Sequence, residues 1–203
     1  MLKHGLPVFA LLSLAGCTQL SQPSQLSQPV PTNAPANIDA ADTAAAVSVC
    51  EGSVELAPHL AGYFTAIEDA ELLNQALGEP EQGKLCQGQV YEVNPDAKLT
   101  IHRAWNSTNP YSQFGKWWAF DQPAGKVADY REDYEICYQW SPLDKLVSCE
   151  LKVGTKVVVG NGQSAKCSQY LTYGTSEAQQ IYLVNAEAAL TACEVLDAEF
   201  SWK

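Results

Sequence analysis

Arginine is the scarcest charged residue of this chain. Arg103 and Arg131 are the only two among 203 residues, and 12 basic residues stand against 23 acidic ones, a formal charge of −11. A surface this acidic disfavours nucleic acid and anionic lipid headgroups as partners, and no nucleic acid is expected. It suits cationic ligands and plain solubility equally. Histidine is almost as scarce, at His4, His59 and His102, and neither H-E-x-x-H nor C-x-x-C occurs. No metal site is therefore expected. Ser164 lacks the G-x-S-x-G frame of a nucleophile elbow. The stretch GNGQSA at 160–165 fits G-x-G-x-x-A, yet no helix pattern opens at Gln163. It reads as a glycine-rich turn, and no bound cofactor is expected. The acidic runs EDAE (68–71) and REDYE (131–135) read as solvated faces of helices.

Long apolar runs are missing too. The one at residues 6–14 follows Lys3 and is shorter than the about 20 residues a spanning helix needs. It has the length of a signal-peptide core. It ends at Leu14-Ala15-Gly16-Cys17, which resembles the bacterial lipobox. That resemblance implies cleavage of a signal peptide at 1–16, diacylglycerol on the Cys17 sulfur and a fatty acyl chain such as palmitate on its amine. Several chains on one residue anchor a protein stably, which a single chain does not. Thr18 stands where an Asp would favour inner-membrane retention, so the resemblance implies the outer membrane, with either its periplasmic or its external face open. Loss of Lys3 with the leader takes the charge to −12. Residues 17–48 hold the near-repeat Gln-Leu-Ser-Gln-Pro (19–23 and 25–29), and no aromatic. Their Pro, Gln, Ser and Ala cannot bury enough apolar surface to offset ordering entropy, so a disordered tether is expected. Residues 49–203 are then a single globular domain.

That domain carries Cys50, Cys86, Cys137, Cys149, Cys167 and Cys193. An even number in an exported domain reads as three disulfides. Connectivity stays open; Cys50 with Cys86 would tie the domain's start across its first helix.

Apolar spacing predicts a helix over 66–77, with Thr65 and Glu68 as its capping box. Alternation in GQVYEV (88–93) and KLTIHRAW (98–105), split by Asn94-Pro95-Asp96, predicts a hairpin. Val127, Tyr130, Tyr134 and Cys137 predict a second helix over 125–138. KLVSCELKV and KVVVG around Gly154-Thr155 predict another hairpin. QQIYLVN (179–185) predicts a strand. Asn185 is placed to cap a last helix using Leu190, Cys193 and Leu196. Hairpins and separate helices make an α+β domain: a small antiparallel sheet with about three helices, disulfide-stapled.

Scarce as it is, arginine is placed among aromatics in IHRAWNSTNPYSQFGKWWAF (101–120). Strand alternation puts Arg103 on one face with Leu99, Ile101 and Trp105. A cation on an apolar face needs a carboxylate, a carbonyl or a stacking ring. One reading is a structural ion pair with an acid in 121–135, plus stacking on Trp105 or Trp117. The other is a ligand clamp, a planar fork for a phosphate or carboxylate beside a flat ring.

Arg103, then Gly115-Lys116-Trp117-Trp118, the stretch LKVGTKVVVG, and Gln179-Gln180-Ile181-Tyr182 together resemble ADP-ribosyltransferase-like and NAD-glycohydrolase domains. The resemblance spans residues 103–184. It implies that Arg103 contacts a pyrophosphate, that Trp117 or Trp118 walls the nicotinamide, and that Gln180 orients the ribose. It departs in two places: Tyr182 stands where a transferase has Glu, and no Ser-Thr-Ser occurs.

As a whole the sequence describes an outer-membrane lipoprotein whose domain binds an envelope partner or a small ligand at Arg103, Trp105, Trp117 and Trp118. The alternative is an NAD-consuming enzyme, transferase or glycohydrolase, with Arg103 and Gln180 as catalytic residues and NAD as substrate. One observable separates the two: whether Arg103 and Gln180 line one open cleft.

Overall fold

The computed structural model describes residues 49–200. The expected signal peptide 1–16, the lipidation site Cys17 and the tether 17–48 lie outside the described residues. An antiparallel sheet of eight strands organises the rest, larger than the small sheet expected. Its strands are β1 (Phe64–Ala66), β2 (Leu85–Val93), β3 (Thr100–Trp105), β4 (Trp117–Ala119), β5 (Lys145–Leu151), β6 (Lys156–Gly162), β9 (Gln179–Tyr182) and β10 (Leu190–Asp197). β7 (Ala165–Lys166) and β8 (Thr172–Tyr173) form a separate two-stranded ribbon. Across the sheet the order is β1-β2-β6-β9-β4-β3-β5-β10. The helices among the described residues are short: α1 (Pro58–Ala61), α2 (Ala70–Ala76), α3 (Val127–Asp133) and α4 (Ala186–Ala189). The α+β class stands.

β6 shows why the sheet is two-sided. Val157, Val158 and Val159 are all fully buried, so both faces of this strand are covered and its sequence reads as a continuous apolar run. On one face Val157, Val159, Ile181, Ile101, Val147 and Cys149 make the main core. On the other, Val158 and Tyr182 pack under Leu72 and Ala76 of α2. Each such side chain contributes about 1.5–3 kcal/mol by leaving water.

Neither predicted hairpin forms. β2 pairs with β1 and β6, and β3 with β4 and β5. Asn94 does not close a turn between β2 and β3; its side chain grips the approach to β1 instead, donating to the Gly62 carbonyl at 3.0 Å and accepting from the Thr65 hydroxyl at 2.6 Å. β5 and β6 likewise part. Gly154, at φ +71°, docks its N–H on the Val93 carbonyl at 2.9 Å, while Lys152 binds the Ala189 carbonyl at 3.0 Å. The turn chemistry is present, but each end of it is held by a different half of the sheet.

Helix bounds move for equally local reasons. The first helix begins at Asp69, whose Oδ1 accepts from the Leu72 N–H at 3.1 Å, and residues 64–66 are strand. Asp caps as well as the Thr65 box would. The second stops at Asp133 because Glu135 takes a left-handed φ of +47°. Asn185 does cap, accepting from the Ala188 N–H at 3.1 Å, but its helix is one turn long. Leu190, Cys193 and Leu196 lie on a strand paired with β5; an open sheet edge and a disulfide override their helical spacing.

The six cysteines form three bridges: Cys50–Cys86, Cys137–Cys167 and Cys149–Cys193. The first pairing is the one named from sequence. The third pins β10 to β5 across a bulge between Thr191 and Glu194.

Candidate functional site

β3 and β4 share a single register pair, His102 with Ala119, and then separate. The chain between them runs through a 3-10 turn at Pro110–Phe114. A cavity of about 280 Å³ lies at this parting. Arg103, Ala104, Trp117, Trp118 and Gln180 line it from the sheet. Trp117 and Trp118 are consecutive and point to opposite faces of β4. Trp117 packs with Tyr182, whereas the Trp118 ring, 2% exposed, belongs to the main core and meets the cavity only at its border.

Arg103 is held by peptide carbonyls. Its Nε donates to the Ser112 carbonyl at 2.8 Å and its Nη1 to the Trp117 carbonyl at 2.6 Å. The guanidinium lies flat on Gly115, where a Cβ would overlap it; that position requires the smallest residue. No carboxylate lies within ion-pair distance of Arg103 among the described residues, and no aromatic ring there stacks on its charge. The structural ion pair and the tryptophan stacking considered from sequence are therefore not formed. Burial pulls its pKa down to about 10, so it remains a cation at neutral pH. Among the described residues its charge is met only by neutral carbonyls.

A second pair on the cavity joins distant segments. Gln180, 5% exposed, donates from Nε2 to Oε2 of Glu135 at 2.7 Å. Glu135 is 2% exposed, and its Oε1 has no hydrogen-bond partner. Two backbone features build its seat. Its own positive φ turns the chain inward after α3. Gly162 of β6 lies against the carboxyl, and a Cβ there would overlap it. Desolvation pushes the Glu135 pKa up to about 8. Asp133 and Glu51 push it the same way, while hydrogen bonds to Ser176 and Gln180 oppose them. The solvated acidic face expected at 131–135 is corrected here: Glu132 and Asp133 are exposed, but Glu135 is interior.

Aromatic side chains complete the wall. Tyr130 and Tyr134 of the α3 segment line the cavity with ring centroids 4.6 Å apart. Desolvation raises the Tyr130 pKa to about 12, and that of Tyr134 further, so both are neutral donors. Trp117 packs on Tyr182 at 4.9 Å. Trp140 lines the cavity while remaining 53% exposed, a rim platform.

Of the residues singled out from sequence, Arg103, Trp117, Trp118 and Gln180 meet in this one cavity. Trp105 does not; it is 8% exposed within the main core. Sequence reasoning missed Glu135 and Trp140, and read Tyr130 and Tyr134 only as helix core. The inward spacing of the tyrosines was visible. The turn that buries Glu135 had no local signal.

No protein-family model and no curated protein matches the chain. Among solved structures, a chain in the structure of Tne2 in complex with Tni2 is similar, with 17% identity and a TM-score of 0.41, over 60% of this chain and 100% of that one. At that score the likeness carries no argument.

Proposed function

We propose that the cavity binds a nicotinamide dinucleotide and hydrolyses its bond to nicotinamide, in a protein anchored at the outer membrane through Cys17. The observation that carries this reading is that Arg103 and Gln180 line the same cavity as Trp117 and Trp118. In it, the Arg103 cation takes the pyrophosphate, Trp117 walls the pyridinium ring, and Gln180 addresses the ribose. The Gln180 amide is oriented for that task. With its N–H given to Glu135, its oxygen is left as an acceptor for a ribose hydroxyl. An acceptor there stabilises positive charge as it develops on the ribosyl carbon. Hydrolysis is favoured over transfer because, in the sequence resemblance, Tyr182 stands where a transferase has Glu.

Chromatography of nicotinamide released from the dinucleotide tests the reading. Release by wild type, lost in Gln180→Ala, is the expected result. A chain that neither releases nicotinamide nor is thermally shifted by the dinucleotide would return the cavity to the binding reading, for another anionic ligand or an envelope partner.

A further inference from the structure

Hydrolysis of a glycosidic bond to nicotinamide needs somewhere for a proton to go. The bond from the ribosyl carbon breaks with its electron pair passing to the ring nitrogen, and nicotinamide leaves neutral. A water oxygen bonds the ribosyl carbon, and one proton of that water must be accepted. The strand that carries Gln180 has no carboxylate at the cavity. We infer that Glu135, delivered from the segment after α3, is that proton acceptor. The inference rests on the dinucleotide reading and adds a residue to it.

Four observations carry it. Glu135 lines the cavity and is nearly inaccessible to bulk solvent. One carboxyl oxygen is bound to Gln180, which fixes the group beside the residue that would hold the ribose. The other is buried and makes no hydrogen bond of good geometry, with the Ser176 hydroxyl, which donates to the Asp133 carbonyl at 2.6 Å, as the polar group beside the carboxyl. The backbone is shaped to keep it there, by the positive φ of Glu135 and by the missing side chain at Gly162.

Its environment supports the role. The raised pKa, about 8, lies near the operating range where a general base is most effective. The groups facing it are Asp133 and Glu51, which raise it, and Ser176 and Gln180, which lower it. Arg103 and Lys84 are the cations on the same cavity.

The test compares the full wild-type chain with Glu135→Gln, reading kcat and KM for nicotinamide release from about pH 6 to about pH 9. Gln keeps the size of Glu135 and can still accept from Gln180. Wild-type kcat is expected to rise with pH and level off above about 8. Glu135→Gln should lose kcat by about 10²–10⁴-fold with KM nearly unchanged, and lose the pH rise. A variant with wild-type kcat overturns the inference while leaving the dinucleotide reading in place. So does a flat wild-type profile, which decides the matter even if the variant fails to fold. A wild type that releases no nicotinamide overturns both.

Discussion

Glu135 and Gln180, 45 residues apart, meet across a 2.7 Å hydrogen bond in the wall of one cavity. One comes from the turn after α3 and the other from β9. The bond ties a loop segment to the middle of the sheet, so the chemistry of the cavity and the stability of the domain share a residue.

That coupling sets a pH dependence of stability. Glu135 has its pKa raised from 4.5 to about 8 on folding. Between those values the folded state binds the proton more tightly than the unfolded one. Stability from this group is therefore greatest at or below about pH 4.5 and is lost as pH rises towards 8. The loss is on the order of a few kcal/mol. Glu135→Gln removes the titration, so its melting temperature relative to wild type should climb with pH and plateau above about 8. Melting curves across that range check this; a constant difference would show that Glu135 does not titrate between those limits.

How much of this was legible beforehand differs between elements and pairings. Apolar content in KLVSCELKV, KVVVG and QQIYLVN located β5, β6 and β9, because a strand's burial is written in its own residues. Its partners are not. The loops at Asn94 and Gly154 look like hairpin turns, and only contacts with Gly62, Thr65 and Val93 send them elsewhere. The site divides the same way. Arg103 and the paired tryptophans stand out in one short window. Glu135 is hidden inside an acidic run, and the glycine that makes room for it lies in another strand.

The cavity's loop wall depends on a disulfide. Cys137 follows Glu135 by two positions and is fully buried in its bridge to Cys167. Replacing both by Ser should cost about 2–5 kcal/mol and free the segment carrying Glu135 and Trp140. Nicotinamide release should fall more than in a Cys149→Ser/Cys193→Ser variant, whose bridge lies on the exposed β10 edge. Equal losses in the two variants would show that the first bridge supports only the fold. Thiol counting on oxidised, denatured wild type should find no free group among the six domain cysteines.

Anchoring is tested separately. Cys17→Ser should leave an uncut precursor without lipid, read by metabolic labelling with a fatty-acid analogue. Unchanged labelling of the variant would rule out Cys17 as the lipid site. Nicotinamide release, if the dinucleotide reading holds, should survive this change, since the described residues that line the cavity begin at Gln82.

Arg103→Lys separates the bracing of the loop from the anion binding proposed for this arginine. Its guanidinium binds the Ser112 and Trp117 carbonyls at once and lies flat against Gly115. A lysine keeps the charge but has no planar fork, and cannot reproduce both bonds in that geometry. One charge-assisted hydrogen bond is worth about 1.5–3 kcal/mol, so a lower melting temperature is expected. Binding should suffer as well. The loop 106–116 would lose its tie to β3, and the cation would no longer present a flat edge to a pyrophosphate. The expected sign is a dinucleotide thermal shift that shrinks in Arg103→Lys by more than the drop in basal stability explains. Isothermal titration at a temperature where both proteins are folded settles the point, with about a tenfold or greater loss of affinity expected. Unchanged affinity in a destabilised variant would make Arg103 a brace for the loop, and the anion would have to be bound by another cation of the cavity wall.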